Sequence, residues 1–199
     1  MFLLPRNRRT IGRSWCTGVR ALLRSLRWGR TATRRIEQGS IGRFTLGLRF
    51  STRAVQRWTL LRLRSIAGPG IGCNYDPSHM FWQGIDPIAA IRVLGDSIFH
   101  VHAKDTQMYP ANLPKTGVLD TKKYTDEKNR AWIFRACGYG HAYTWWSEFV
   151  STLRMFGYDY VLSIEHEDTL MSPDEGLTKA ATFLNQIVIR DQPTAPWWV

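Results

Sequence analysis

The chain has 199 residues, 44% of them hydrophobic, with a formal charge of +11 and three cysteines. That length suits one domain or part of a larger one, and no apolar run approaches the roughly 20 residues of a membrane span. Cys16, Cys73 and Cys137 are odd in number and form no CxxC pair, which argues against a disulfide framework or zinc knuckle and for a cytoplasmic protein.

The charge is unevenly placed. Residues 1–66 hold sixteen arginines, no lysine and one acid, Glu37, a net +15; residues 67–199 hold eleven basic and fifteen acidic residues, a net −4. The chain therefore divides into an Arg-rich segment (1–67), a balanced region (68–190) and a tail (191–199). In the first, MFLL is broken at once by PRNRR, a poor secretory signal, and VRALLRSLRW (19–28) reads as a short amphipathic helix. Three readings of this segment stay open: a transit peptide, a basic arm for nucleic acid or anionic membrane, or translation of a GC-rich gene in another frame or from a wrong start. It is assigned no fold and is expected to be disordered or foreign to the rest of the chain.

From residue 68 the local signals agree. GIGCNYD (70–76) reads as a strand with Gly72, Asn74 and Asp76 on one face. DPIAAIRVLG (86–95) reads as a helix capped by Asp86, with Pro87 in its first turn and Gly95 at its stop. FHVHAKD (99–105) is a second strand, with Phe99, Val101 and Ala103 on one side and His100, His102 and Lys104 on the other. Strand, helix and strand in this order make a βαβ unit with parallel pairing.

Residues 106–143, polar and rich in Pro, Gly and Lys, read as an excursion over one end of the sheet. TWWSEFVSTLRMFG (144–157) reads as a helix capped by Thr144 and ended by Gly157. YVLSIEHED (160–168) is a third strand, with Ser163, Glu165 and Glu167 on one face. In the last helix Ser172 and Glu175 form a capping box around Pro173, and Leu177, Ala180, Ala181, Leu184, Ile187 and Val188 form its core stripe.

Three strands alternating with helices, each ending in acids or histidines on one face, suit a parallel α/β barrel, whose strand C-termini carry the chemistry. A doubly wound sheet is disfavoured because GPGIG (68–72) precedes its strand rather than coming after it. The strand ends offer Asp76 and His79, then His100, His102 and Lys104, then Glu165, His166 and Glu167. A lone strand histidine usually satisfies a neighbouring carbonyl, but carboxylates and imidazoles from neighbouring strands together form a ligand mix for Mn, Mg, Co or Zn.

The segments GCNYDPSHMFWQGIDP, IFHVHAKDT, GYDYVLSIEHED and SPDEGLTKAATFL, within residues 68–189, resemble the sugar phosphate isomerase/epimerase family. These are xylose isomerase-like TIM barrels, including ketose 3-epimerases and, more distantly, endonuclease IV-type enzymes. The resemblance implies the C-terminal portion of a (β/α)8 barrel and one divalent ion held by a glutamate, an aspartate, a histidine and a second glutamate. By motif the aspartate is Asp76, the histidine His102 and the last-strand glutamate Glu165, which would also be one of two catalytic glutamates. His79 matches a histidine that contacts substrate oxygens, and Lys104 a polar position facing the site. GYGHAYTWW resembles the family's glycine-rich approach to its penultimate helix, but Ala142 replaces an expected aspartate and no role passes to His141.

A whole barrel takes roughly 250 residues, and the one acid upstream, Glu37, comes after no strand-like run. The fourth ligand is therefore expected to be missing, metal affinity weak, and turnover very low or nil. The strand edge before residue 70 is expected to be open, favouring aggregation or pairing with another chain, as in a homo-oligomer. The implied activity is metal-dependent isomerisation or epimerisation of a small sugar or sugar phosphate through proton abstraction next to a carbonyl. Two other functions compete: an endonuclease IV-like enzyme, disfavoured by the acidic balance of residues 67–199, and a non-catalytic protein with a basic binding arm. No specific nucleic-acid partner and no membrane span are expected.

Overall fold

The computed structural model describes residues 44–46, 56–191, 194 and 198; the stretch 19–28 and Glu37 lie outside them. Four parallel strands make the main sheet: β1 (Phe44–Leu46), β2 (Ile71–Tyr75), β3 (Ile98–Ala103) and β6 (Leu162–Ile164), in that spatial order. A separate antiparallel hairpin, β4 (Asp105–Met108) with β5 (Trp132–Arg135), stands beyond the end of β3. The helices are α1 (Gln56–Ala67), α2 (Ser78–Phe81), α3 (Pro87–Leu94), α4 (Leu113–Thr116), α5 (Tyr143–Met155) and α6 (Pro173–Asn185). No helix among the described residues is long and apolar enough to cross a membrane.

The βαβ unit forms as its residues dictate. Asp86 accepts from the Ile88 N–H at 2.8 Å, Pro87 opens α3, and Gly95 ends it at φ 49°, a conformation costly for residues with a Cβ. The apolar face of α3 (Ile88, Ile91, Leu94) joins Tyr75, Val101 and Phe149 in the main core. Each such side chain contributes about 1.5–3 kcal/mol by leaving water. Parallel pairing then sets Asn74 opposite His100 and His102 opposite Ser163, with an irregularity between Cys73 and Asn74. This register brings the ends of β2, β3 and β6 side by side.

Several expectations are corrected. The edge of β2 is not open: β1, from within the Arg-rich segment, pairs with it from Phe44↔Ile71 to Leu46↔Cys73. Structure upstream of residue 68 also includes α1, whose Leu60 is buried in the main core and whose Arg64 donates to the carbonyls of Pro69 and Ile71. The excursion 106–143 contains β4 and β5, which cover a second core of Trp82, Ala131, Trp132 and Phe134. Thr144 does not cap α5. Ala142 holds that place, with extended ψ of 168° and no side-chain bond, because the preceding loop is anchored by Asp105.

In α6, Ser172 Oγ accepts from the Glu175 N–H at 3.2 Å, but the Glu175 side chain pairs with Lys179 at 2.6 Å, so only half of the capping box exists. Leu177 is 41% exposed rather than part of the stripe. The inward face runs through Gly176, Ala180 and Leu184, and Gly176 lies so close to the His166 ring that an added Cβ would sit 2.1 Å from it.

Candidate metal centre

Asp76 comes directly after β2, and its Oδ1 is occupied: the backbone N–H and hydroxyl of Ser78 donate to it at 2.9 and 2.7 Å, where α2 begins. Its other oxygen, Oδ2, is thereby aimed inward. It lies 3.9 Å from His102 Nδ1, 3.4 Å from Lys104 Nζ and 3.5 Å from His79 Nε2. Glu165, just past β6, is placed by its own N–H donating to the Ala103 carbonyl at 3.3 Å. Its Oε2 meets His102 Nδ1 at 2.6 Å and Lys104 Nζ at 3.1 Å. One ligand atom each from Asp76, His102 and Glu165 all lie within 4.8 Å of one another, and among the described residues this is the one such group.

The structure thus brings together the three residues expected as ligands, with His79 and Lys104 beside them. Lys104 is 1% exposed, and its three N–H donors meet Glu167 at 2.8 Å, Glu165 at 3.1 Å and Asp76 at 3.4 Å. The Phe134 ring lies 4.5 Å from its ammonium. In this arrangement Lys104 balances the carboxylates, with its donors directed to them. His100, half-buried, stacks edge-on with His102 and Tyr160 at the rim. His166 lies against Gly176 and borders a cavity of about 440 Å³ together with Tyr124, Phe134 and Glu167.

The charges respond to one another. The hydrogen bond from His102, against the pull of burial and aided by Lys104, holds the Glu165 carboxyl down at about 2. Reciprocally, Glu165 raises the His102 imidazole above its ordinary 6.5. Burial pulls the Lys104 ammonium down, but Asp76, Glu167 and Glu165 outweigh it and hold it above 10.5. Burial lowers His79 below 6.5 despite the neighbouring Asp76, which favours its neutral form. Two carboxylates and an imidazole whose ligand atoms converge are a donor set suited to a divalent ion such as Mn, Mg, Co or Zn.

Two acids that sequence reasoning passed over hold the frame. Asp105 Oδ2 accepts from the backbone N–H groups of Gly138, Gly140 and His141 and from Trp146 Nε1, all between 2.9 and 3.1 Å. Its Oδ1 accepts from Thr106 N–H at 2.8 Å and meets His141 Nδ1 at 2.7 Å. His141 in turn stacks on Phe81, two residues beyond His79, with ring centroids 3.8 Å apart. Asp168 takes Arg135 Nε and the Ala136 N–H, each at 2.9 Å, fastening the end of the hairpin to the segment after Glu165. The signal for Asp105 was its place next to Lys104 in AKD; apart from Thr106, its partners lie 33 to 41 residues away and leave no local trace.

A parallel sheet with acids and histidines gathered at its strand C-termini defines the C-terminal part of an α/β barrel. The chain matches the family described as "Xylose isomerase-like TIM barrel" over residues 56–187, well over half its length, and belongs to it. It is 45% identical over 130 residues to "Uncharacterized protein YfiH" of Bacillus subtilis (strain 168), a match taking in 65% of this chain. The chain spans 42% of that relative's length. Among solved structures it is similar to a xylose isomerase domain protein from Planctomyces limnophilus, with a TM-score of 0.48 and 24% identity, over 68% of this chain and 42% of that one.

Proposed function

We propose that this chain carries part of a metal-dependent sugar or sugar phosphate isomerase or epimerase acting by proton abstraction next to a carbonyl. The observation that supports this most is the convergence of Asp76, His102 and Glu165 from three adjacent strand ends. A divalent ion held by these three supplies Lewis acidity toward a substrate carbonyl and the negative charge that develops on it. Glu165 is ionised and partly exposed, so it can receive a proton from a bound substrate. His79, in its neutral form, can hydrogen-bond a substrate hydroxyl. Lys104 keeps the three neighbouring carboxylates from repelling one another. The aromatic walls of the adjoining cavity, Tyr124 and Phe134, offer the apolar face that a sugar ring stacks on.

The donor set among the described residues numbers three, where the family resemblance implies four. Weak metal binding and very low turnover are therefore part of the proposal. Action on DNA is less well supported, because residues 67–199 carry a net −4 and the described residues offer no larger ligand cluster. The test is solvent exchange: free and phosphorylated ketoses incubated in D2O with the chain and Mn2+. The expected result is slow deuterium uptake at the carbon next to the carbonyl, abolished by chelation and by Glu165→Gln. Uptake no faster than in Glu165→Gln, or cleavage of abasic-site DNA in its place, would overturn the reading.

A further inference from the structure

The two ring nitrogens of His102 have different partners. Nδ1 faces the carboxylates, 2.6 Å from Glu165 Oε2, while Nε2 points away and lies 3.2 Å from Asn74 Nδ2. As these bonds stand, the Asn74 amide donates to Nε2, so the ring proton belongs on Nδ1, where it is shared with Glu165. In that tautomer Nδ1 has no lone pair to offer a cation. A neutral imidazole that ligates through Nδ1 must carry its proton on Nε2, and that proton needs an acceptor.

Asn74 contains one. Its Oδ1 is buried and, among the described residues, accepts no hydrogen bond. The far end of the amide is therefore not pinned by its surroundings. A half-turn about the last side-chain bond exchanges the nearly isosteric oxygen and nitrogen. Oδ1 then faces Nε2 and takes its proton, and Nδ1 is freed toward Asp76 and Glu165.

We infer that Asn74 is a positioning residue that lets His102 exchange tautomers, donating to Nε2 in the metal-free site and turning to accept from Nε2 when Nδ1 ligates a cation. This rests on reading Asp76, His102 and Glu165 as a divalent-ion site. A carboxylate at residue 74 could only accept, and an alanine could do neither.

The experiment combines long-range 1H–15N NMR of His102 in the full chain, with and without Zn2+, and calorimetric Zn2+ titration. It compares wild type, Asn74→Asp and Asn74→Ala. Wild type is expected to show the neutral ring protonated on Nδ1 without metal and on Nε2 with Zn2+. Asn74→Asp should show the Nε2 proton already in the metal-free protein and keep Zn2+ binding. Asn74→Ala should weaken Zn2+ binding about 10- to 100-fold, the range for partners of a ligating histidine. A His102 proton position that is the same in Asn74→Asp as in wild type, or an unchanged affinity in Asn74→Ala, would overturn the inference. If wild type takes up no Zn2+, the metal reading falls and this inference with it. If Asp76→Asn abolishes binding while Asn74→Ala leaves it intact, the role of Asn74 alone is refuted.

Discussion

Asp76 and Asp105 sit one strand apart, both near the ends of neighbouring parallel strands and both buried. Asp105 has both oxygens filled by backbone, indole and imidazole N–H donors drawn from Thr106 and from the stretch Gly138–Trp146. Asp76 has one oxygen filled, by Ser78, and the other held between 3.4 and 3.9 Å from an ammonium and two imidazoles. The first carboxylate is saturated by N–H donors and holds a loop in place. The second keeps an oxygen in reserve beside an ammonium and two imidazoles, the condition for exchanging one of these partners for a metal. Hydrogen-bond saturation, rather than burial, separates the acid that anchors a loop from the acid proposed to hold a metal.

The largest test of this contrast is Asp105→Ala. It strips the acceptor from the buried Thr106 N–H and Trp146 Nε1, each costing roughly 1–3 kcal/mol when left unpaired, and from the part-buried N–H groups of Gly138, Gly140 and His141, so the variant should lose much of its folded population in urea denaturation. Gly140→Ala should do similar damage more locally, since an added Cβ would lie 2.4 Å from the Thr106 carbonyl oxygen. Next comes Lys104→Met, which leaves Asp76, Glu165 and Glu167 unneutralised. Breaking a fully buried pair costs about 3–5 kcal/mol, but Glu165 and Glu167 are partly exposed and screened, so about 1–3 kcal/mol is expected. Zn2+ should restore the melting temperature of this variant more than it raises that of wild type, because the metal takes over the work of the missing ammonium.

A smaller effect is expected with acid. Burial pulls the Asp168 carboxyl up, but the Ala136 N–H and Arg135 outweigh it and hold it below its ordinary 3.8. A depressed carboxylate stabilises the fold fully above 3.8, and that contribution is lost as the pH falls through the folded-state value beneath it. Denaturation series should therefore show a steeper acid limb in wild type than in Asp168→Asn. Equal limbs would mean that Asp168 is not held by Arg135 in solution.

The convergence of Asp76 with His102 and Glu165 was legible in the sequence and the anchoring by Asp105 was not, for a physical reason. Asp76, His102 and Glu165 lie at the ends of strands whose periodicity and caps are local, so the strand order alone places them side by side. Apart from Thr106, Asp105 acts through donors 33 to 41 residues on, and β4 reaches β5 across 24 or more residues, so neither leaves a short-range pattern. The same anchored loop shifted the start of α5 from Thr144 to Ala142, overriding a favourable capping residue. Leu177 misled because helical spacing gives a stripe but not its centre, and the stripe here is centred on Gly176, where the His166 ring packs. The pairing of β1 with β2 was illegible because nothing in GRFTLG stands out against its Arg-rich surroundings.

Asp76→Asn keeps an oxygen for Ser78 and removes the charge facing Lys104, whose ammonium still meets Glu165 and Glu167, so a smaller loss of stability than in Lys104→Met is expected. It is also the variant that tests the central claim most directly. Calorimetric titration of Zn2+ or Mn2+ into the full chain should give one weak site, lost in Asp76→Asn and in His102→Ala under conditions where circular dichroism shows both variants folded. Uptake of the same stoichiometry and affinity in those variants, or none in wild type, would contradict it.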